Sequence, residues 1–193
     1  YIIMMINNFQ NFGFIRDKLP VTLYHKILEE YHEIETPAFV SGITGKGVPK
    51  HYFLEKNNKE LYQFIEPIVK KYTDEFGWPI RKYFTNDMPI LFETPWVNSH
   101  KQTEFFPLHS HNGFLSYAIW LQLPDVETNF NFHYLDTIGN IRKHSIKLTK
   151  EDNGSLILFP SSLMHGVNPF YDTEATRITM SGNISLSVKD KNE

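Results

Sequence analysis

Three histidines in two short segments are the residues of this sequence best suited to metal chemistry. His109 and His111 stand in the segment PLHSH, and His165 follows the segment FPSSLM much later in the chain. Because the side chains of a β-strand alternate between its two faces, an H-x-H pair on an extended segment presents both imidazoles on one face. A distant third histidine could then complete a facial set of nitrogen ligands around one metal ion.

An arginine follows the third histidine at a distance in sequence that a single loop can span. Arg177 lies twelve residues beyond His165 and opens an apolar stretch that is predicted as a returning strand. The apolar positions of that stretch are Ile178, Met180, Ile184 and Leu186. A metal site, a nearby guanidinium and no other obvious nucleophile indicate oxygen chemistry with a carboxylate co-substrate.

The composition limits the class of protein. With 193 residues and 41% hydrophobic content, the chain can bury one sizeable core, so we expect a single domain over 1–193. The net charge of −3 and the scattered lysines give no basic surface, so no binding of nucleic acid is expected. The absence of cysteine excludes disulfides, thiolate metal sites and a catalytic thiol.

The N-terminal run YIIMMI is apolar but too short for a transmembrane helix, and it lacks the features of a signal peptide. We therefore expect no membrane segment and a cytoplasmic location. Exposed aromatic strands would allow a homodimer, although the sequence does not identify an edge strand.

Two helices are predicted in the first part of the chain. Apolar residues recur at spacings of three and four over 17–35 and over 58–76, where Asn58 is a candidate cap. A first strand is predicted ahead of them, over 6–15. The glycine-rich segment 41–50 is predicted as a loop that either covers a site or only links the helices.

Short extended segments dominate the rest of the chain. The predicted strands cover 88–98, 113–123, 129–135, 141–148, 155–159 and 177–188. Six strands after two helices favour a mainly β protein with N-terminal helices, an α+β arrangement around a double-stranded β-helix, the cupin-like jelly roll. Helices within about 16–80 would then support a jelly-roll core over about 86–188.

The order of these motifs resembles the 2-oxoglutarate and Fe(II)-dependent oxygenases, and most closely those encoded by tailed phages of marine bacteria. The residues that carry the resemblance are Trp96, Asn98, His109, His111, Ser116, Gly154, Phe159, Pro160, His165 and Arg177. The matching stretch, 93–186, is about half of the chain. The resemblance implies a jelly-roll dioxygenase in the cytoplasm of a bacterial host, which hydroxylates a protein side chain or a small metabolite.

The resemblance also implies roles for individual residues. His109 and His165 would bind Fe(II), and Arg177 would form a salt bridge with the far carboxylate of the co-substrate 2-oxoglutarate, helped by Thr179. This pair suits the role because a guanidinium can bind a carboxylate through two hydrogen bonds, and strand alternation puts Thr179 on the same face as Arg177.

His111 stands where most of these oxygenases have an aspartate or glutamate. Strand alternation favours a site of three histidines, in which His111 faces inward beside His109. Alternatively, a carboxylate such as Glu104 or Asp136 supplies the third ligand. Three neutral imidazoles with an open position would also suit zinc, which is the competing metal.

Several further residues have two interpretations. Asn98 and Tyr117 either line the co-substrate pocket or only pack in the core. His100 is close enough in sequence to the first ligand segment to enter the pocket. His25 and His32 share one face of the first predicted helix, but no third ligand accompanies them, and surface positions explain them better.

Two other classes of function stay open. A non-catalytic jelly roll that binds a partner or an ion would keep the histidines for structure and would turn over no 2-oxo acid. A cupin-like enzyme could use three histidines without 2-oxoglutarate, and Arg177 would then be dispensable. The sequence does not identify the substrate.

Overall fold

A computed structural model describes residues 5–9, 12–34, 39–40, 50–77 and 90–186. The loop predicted over 41–50 lies almost entirely outside these residues. Residues 88–89 and 187–188, at the ends of two predicted strands, also lie outside them.

Two helices precede most of the strands. Helix α1 covers Val21–His32 and helix α2 covers Asn58–Phe76. The predicted bounds of α2 are confirmed, but the cap prediction is wrong, because Asn57 is the N-cap residue and Asn58 is the first residue of the helix. The prediction for α1 begins too early, because Asp17 lies in a strand and Pro20 immediately precedes the first helical residue.

The described residues also form thirteen strands. They are β1 Met5–Phe9, β2 Phe12–Lys18, β3 Phe39–Val40, β4 Lys50–Phe53, β5 Ile90–Phe92, β6 Trp96–His100, β7 Phe106–His109, β8 Leu115–Gln122, β9 Thr128–Leu135, β10 Ile141–Leu148, β11 Ser155–Pro160, β12 Met164–Val167 and β13 Arg177–Leu186.

These strands form a large and a small sheet. The large sheet has the order β1-β2-β11-β8-β13-β6-β4-β3, with β5 also paired to β13, and the small sheet has the order β10-β9-β12-β7. All the pairings are antiparallel. The predicted jelly roll with N-terminal helices is confirmed.

Strand β8 explains how the layers are held together. Tyr117 and Ile119 pack into the cluster that contains the buried faces of both helices, whereas Ala118 and Trp120 pack between the two sheets. Because successive strand residues face opposite sides, an apolar run such as LSYAIW can fill both cores at once. The site described below lies on the side of the sheet that faces the small sheet.

Two predictions about the strands are wrong. The segment 6–15 is not one strand but parts of the antiparallel pair β1 and β2, in which Phe9 lies opposite Phe12. Apolar residues continue on both sides of this reversal, so their periodicity does not reveal it. The predicted strand 88–98 is likewise divided between β5 and β6.

The described part of the chain contains no helix with the length and apolar character needed to cross a bilayer.

The buried carboxylate of Glu30 joins α1 to the start of α2. It accepts hydrogen bonds from the backbone N–H groups of Glu55, Lys56 and Asn57 at 2.6, 2.7 and 3.1 Å, and from the Asn57 side-chain amide at 2.8 Å. Without this acceptor, several N–H groups would lose their partner.

We expect Glu30→Ala to lower the free energy of unfolding by about 3 kcal/mol, because hydrogen bonds to a charged acceptor are lost and partly buried donors are left unpaired. Urea denaturation measures this change. Glu29→Ala, at an exposed position of the same helix, is the matched control and should change stability little. Equal stability of the two variants would contradict the prediction.

Candidate active site

Two of the three histidines form a cross-strand pair in the small sheet. His109 ends β7 and lies directly opposite His165 on β12. Their ring centroids are 4.4 Å apart, so the pairing of these two strands brings together residues that are far apart in the sequence.

His111 joins the pair from outside the strand. Strand β7 ends at His109, so strand alternation is not what brings His111 to the same side, contrary to the sequence-based argument. Instead, the backbone N–H of His111 donates to the carbonyl of Ser161 at 2.8 Å. The ring centroid of His111 then lies 5.1 Å from those of His109 and His165.

The three side chains form a compact group of possible metal ligands. One nitrogen from each of His109, His111 and His165 lies within 4.8 Å of the other two. Over the described residues, this is the one group of three or more histidines or acids with such spacing. Glu104, which accepts from the backbone of Lys101 at 2.7 Å, and Asp136 do not belong to the group.

Backbone carbonyls orient two of the imidazoles. Nδ1 of His109 lies 2.8 Å from the carbonyl oxygen of Pro107, and Nδ1 of His165 lies 2.8 Å from that of Leu163. With the proton on Nδ1, each ring donates to its carbonyl and leaves the Nε2 lone pair available to a metal ion. Phe130 stacks on His165 with an interplanar angle of 16° and so restrains its ring.

Burial keeps the nitrogens of His111 and His165 unprotonated at neutral pH. Burial first, and then the neighbouring His109, lower the pKa of His111 from its usual 6.5 to about 4, against the opposing effect of the Glu93 charge. Burial also lowers the pKa of His165 to about 3. Neutral imidazoles are the form that binds metals, so both side chains are ready to act as ligands at neutral pH.

These shifts predict a pH dependence of the metal-free protein. The folded-state pKa values of His111 and His165 lie below the unfolded value, so the unfolded chain binds more protons between about pH 4 and 6.5. We therefore expect the free energy of unfolding to fall as the pH is lowered through this range. Urea denaturation at several pH values measures the slope, and His165→Gln should make it shallower. A slope unchanged in that variant would contradict the assignment.

The second half of the site lies on β6 and β13. Arg177 lies opposite His100 across these strands, and Thr179 lies opposite Asn98. The alternation of β13 puts Arg177 and Thr179 on one face, as predicted from the sequence. Asn98 and Thr179 line the same cavity as the three histidines.

Arg177 is a buried cation whose hydrogen bonds are incomplete. Its side chain is 1% exposed, Nη1 donates to the carbonyl of Asn168 at 3.2 Å, and the guanidinium lies 5.2 Å from the ring centre of Phe170. Nε and Nη2 have no hydrogen-bond partner among the described residues. Burial lowers the pKa of Arg177 to about 10, so the side chain is still a cation at neutral pH. A carboxylate would satisfy both the charge and the free N–H groups.

A cavity of about 360 Å³ lies beside the three histidines and reaches Asn98 and Thr179, whereas Arg177 is not among its lining residues. Its lining is largely aromatic. The aromatic and aliphatic side chains are Phe53, Trp96, Phe106, Tyr117, Ala118, Phe130, Phe159 and Val167. Among the described residues, no Asp, Glu, Lys or Arg lines it. The cavity volume is at the lower end of the range for small-molecule sites.

Tyr117 is placed differently from the other predicted site residues. It borders the cavity, but its ring packs in the cluster on the helix side of the large sheet. A Cβ atom on Gly182 would lie 2.3 Å from the Tyr117 hydroxyl oxygen, so glycine is required where the tyrosine passes. The predicted contact of Tyr117 with a co-substrate stays a prediction, because the residue lines the cavity and its buried hydroxyl has no hydrogen-bond partner among the described residues.

His100 is the clearest residue to which sequence reasoning gave too little weight. It is 2% exposed, lines the cavity, and contacts the ring of Phe106 at 5.3 Å between centroids. The alternation of Trp96, Asn98 and His100 on one predicted strand was the signal that could have placed it in the pocket.

The sequence similarity agrees with this geometry. Residues 94–183 match the family model described as "Putative 2OG-Fe(II) oxygenase". This segment, a little under half of the chain, is similar to the 2-oxoglutarate and Fe(II)-dependent oxygenases. The enzyme class that this match indicates is an oxidoreductase that uses Fe(II) and 2-oxoglutarate. No curated protein sequence matches the chain.

Solved oxygenase structures have the same fold. HygX from Streptomyces hygroscopicus, with nickel and 2-oxoglutarate bound, aligns over 93% of this chain and 85% of its own, with a TM-score of 0.62 and 11% identity. A prolyl-4-hydroxylase from Pseudomonas putida aligns over 90% and 93%, with a TM-score of 0.60 and 13% identity. The viral collagen prolyl hydroxylase of Paramecium Bursaria Chlorella virus-1, in complex with 2-oxoglutarate, aligns over 91% of this chain and 96% of its own. The TM-score is 0.54 and the sequence identity is 10%. At these identities, the comparison is one of fold.

Proposed function

We propose that this oxygenase is a hydroxylase whose Fe(II) is held by His109, His111 and His165. The observation that supports the ligand set most strongly is the approach of their three nitrogens to within 4.8 Å of one another. All three are nitrogen ligands, which suit divalent iron, and the described residues place no carboxylate in the group. A three-histidine site carries one negative charge fewer than a site with a carboxylate ligand.

We also propose that Arg177, Thr179 and Asn98 hold 2-oxoglutarate. The free N–H groups of the buried Arg177 would donate to the far carboxylate, and the Thr179 hydroxyl lies on the same strand face. The buried Oδ1 of Asn98 also lacks a hydrogen-bond partner among the described residues, so it can accept a hydrogen bond from a ligand. Tyr117 stays a predicted contact of the co-substrate, although its ring packs on the helix side of the large sheet.

Bound iron and 2-oxoglutarate supply oxygen activation coupled to decarboxylation of the 2-oxo acid to succinate and carbon dioxide. The protein contributes position and environment. The carbonyls of Pro107 and Leu163 hold two imidazoles in the orientation that a metal requires. Phe130 and Phe159 pack around His165 and keep water from its ring.

The proposed substrate presents an uncharged group to the metal. The cavity beside the histidines has no charged lining residue other than histidine among the described residues, and aromatic side chains such as Phe53 and Trp96 surround it. An ionic group would lose its hydration there without a partner, which is costly. A neutral protein side chain and an uncharged small metabolite both fit this environment.

The domain and location assigned to this function are also proposals. One domain over 1–193 is supported by the shared core of both helices and the large sheet. The resemblance to phage-encoded oxygenases supports action in the cytoplasm of a bacterial host. The net charge of −3 supports the absence of nucleic acid as a ligand. A homodimer is compatible with the exposed strand residues.

The test is an anaerobic titration of the metal-free protein with Fe(II), with and without 2-oxoglutarate. We expect a visible charge-transfer band that needs both components, because the band arises from chelation of the metal by the 2-oxo acid. Succinate formation under air then measures turnover.

The alternatives give different results in the same titration. Metal binding without a band would favour a cupin-like or zinc enzyme that does not use 2-oxoglutarate. No metal binding at all would favour a structural jelly roll. Either result would contradict the proposed function.

A further inference from the structure

A series of hydrogen bonds lies behind His111. The carbonyl of Ser161 accepts from the backbone N–H of His111, and the Ser161 hydroxyl lies 2.8 Å from the Ser116 hydroxyl. Ser116 donates to Oδ1 of Asn183 at 2.9 Å, and the amide of Asn183 donates to Oε2 of Glu93 at 3.1 Å. A carboxylate therefore terminates a connected path from the third histidine.

Glu93 is held firmly at the end of this path. The Ser185 hydroxyl donates to Oε1 of Glu93 at 2.5 Å. The backbone N–H of Glu93 donates to the carbonyl of Asn183 at 3.0 Å, and Tyr62 donates to the carbonyl of Glu93 at 3.2 Å. These bonds fix both the backbone and the carboxylate of a half-buried acid.

The segment after His111 packs directly on this path. A Cβ atom on Gly113 would lie 2.9 Å from the Ser161 hydroxyl and 3.2 Å from Cβ of Asn183. Trp96, three residues after Glu93, has its ring centroid 5.8 Å from that of His111.

His111 differs from the other two histidines in how it is supported. His109 and His165 each have a backbone carbonyl as hydrogen-bond partner, and the described part of the chain gives the His111 ring no such bond. Outer partners that orient ligands and add negative charge strengthen metal sites, and their loss typically lowers metal affinity about 10- to 100-fold.

We propose that Glu93 is a positioning residue of the metal site, which acts through His111 and supplies from outside the ligand group the negative charge that three neutral imidazoles lack. The inference rests on the proposed function, because it requires the three histidines to bind the metal. It assigns to Glu93 no contact with the metal itself.

The test measures the affinity of the metal-free full chain for Co(II), whose visible absorption reports both binding and ligand geometry. We expect Glu93→Gln, which removes the charge and nearly keeps the shape, to raise the Kd for Co(II) about 10- to 100-fold. We also expect its bound-state spectrum to change. Glu127→Gln, which removes a charge from an exposed ion pair with Lys147, is the matched control and should bind like the wild type.

A merely structural role for Glu93 predicts a different result. In that case Glu93→Gln should lower the melting temperature of the metal-free protein, while the Kd of the folded variant for Co(II) stays within about twofold of the wild-type value. This result would overturn the inference. If Glu93→Gln does not fold, Ser185→Ala decides, because it keeps the charge but releases one of the carboxylate's hydrogen bonds. A Kd for Co(II) roughly three- to tenfold above that of the wild type is expected, and a Kd within about twofold of the wild type overturns the inference.

Failure of the proposed function would be recognised separately. If the wild type binds no Co(II), the three-histidine metal site itself is wrong. If the wild type binds Co(II) and Glu93→Gln binds equally well, the site stands and the role of Glu93 is wrong.

Discussion

His165→Ala should abolish succinate formation and lower the affinity for Fe(II) by at least about 100-fold, because removal of a ligand costs more than removal of an outer partner. His165 is the most buried of the three histidines and lies directly opposite His109 in the ladder. Without it, the remaining two imidazoles cannot form a facial set. Anaerobic Fe(II) titration and succinate assays measure the two effects.

Two comparisons separate metal loss from unfolding in this experiment. His165→Gln keeps a polar side chain of intermediate size, and circular dichroism checks that it folds. His133→Ala, on the neighbouring strand β9 and outside the ligand group, should keep wild-type affinity and turnover. Full activity of a folded His165 variant would show that the metal lies elsewhere.

Arg177→Leu should weaken 2-oxoglutarate binding by about 2–5 kcal/mol, or roughly 30- to 4,000-fold in Kd, because a buried charged pair loses one partner. Fe(II) affinity should stay near the wild-type value, since Arg177 is not in the ligand group. Arg177→Lys should recover part of the loss, because an ammonium keeps the charge but not the planar pair of donors. The charge-transfer titration gives both constants.

Arg177→Leu should not lower the stability of the metal-free protein, although most substitutions of buried residues do. Nε and Nη2 of Arg177 lie buried without a partner among the described residues, which costs free energy until an anion arrives. We therefore expect Arg177→Leu to melt at or above the wild-type temperature. Arg142→Leu, at an exposed salt bridge with Asp136, is the control for removing one surface cation. Undiminished 2-oxoglutarate binding by Arg177→Leu would favour the cupin-like alternative.

The patterns that predicted the site well were local ones. Helix α2 follows a clear spacing of apolar residues, and β13 carries Arg177 and Thr179 on one face because strands alternate. Both depend on interactions between residues close in the sequence, so periodicity could reveal them. Strand β10 is also confirmed at the predicted ends, 141–148.

The remaining features depend on which strands pair. His109 and His165 are brought together by the register of β7 and β12, and no local pattern specifies that register. His111 was expected on the strand but lies beyond its end, where the Ser161 carbonyl determines its position. Tyr117 was expected either to line the pocket or to pack in the core; it borders the cavity, while its ring packs on the helix side because of the parity of β8. These outcomes follow from tertiary packing, which single-sequence periodicity does not report.

The weak attachment of β7 gives bound metal a second consequence. This strand is at the edge of the small sheet, and its pairing with β12 shifts register between His165 and Val167. An ion shared by His109 and His165 would cross-link that edge and close a long loop of chain. Amide hydrogens of β7 and β12 should then exchange with solvent far more slowly in the metal-bound protein than in the metal-free one. Bound iron would therefore control how often β7, the strand that carries His109, opens locally.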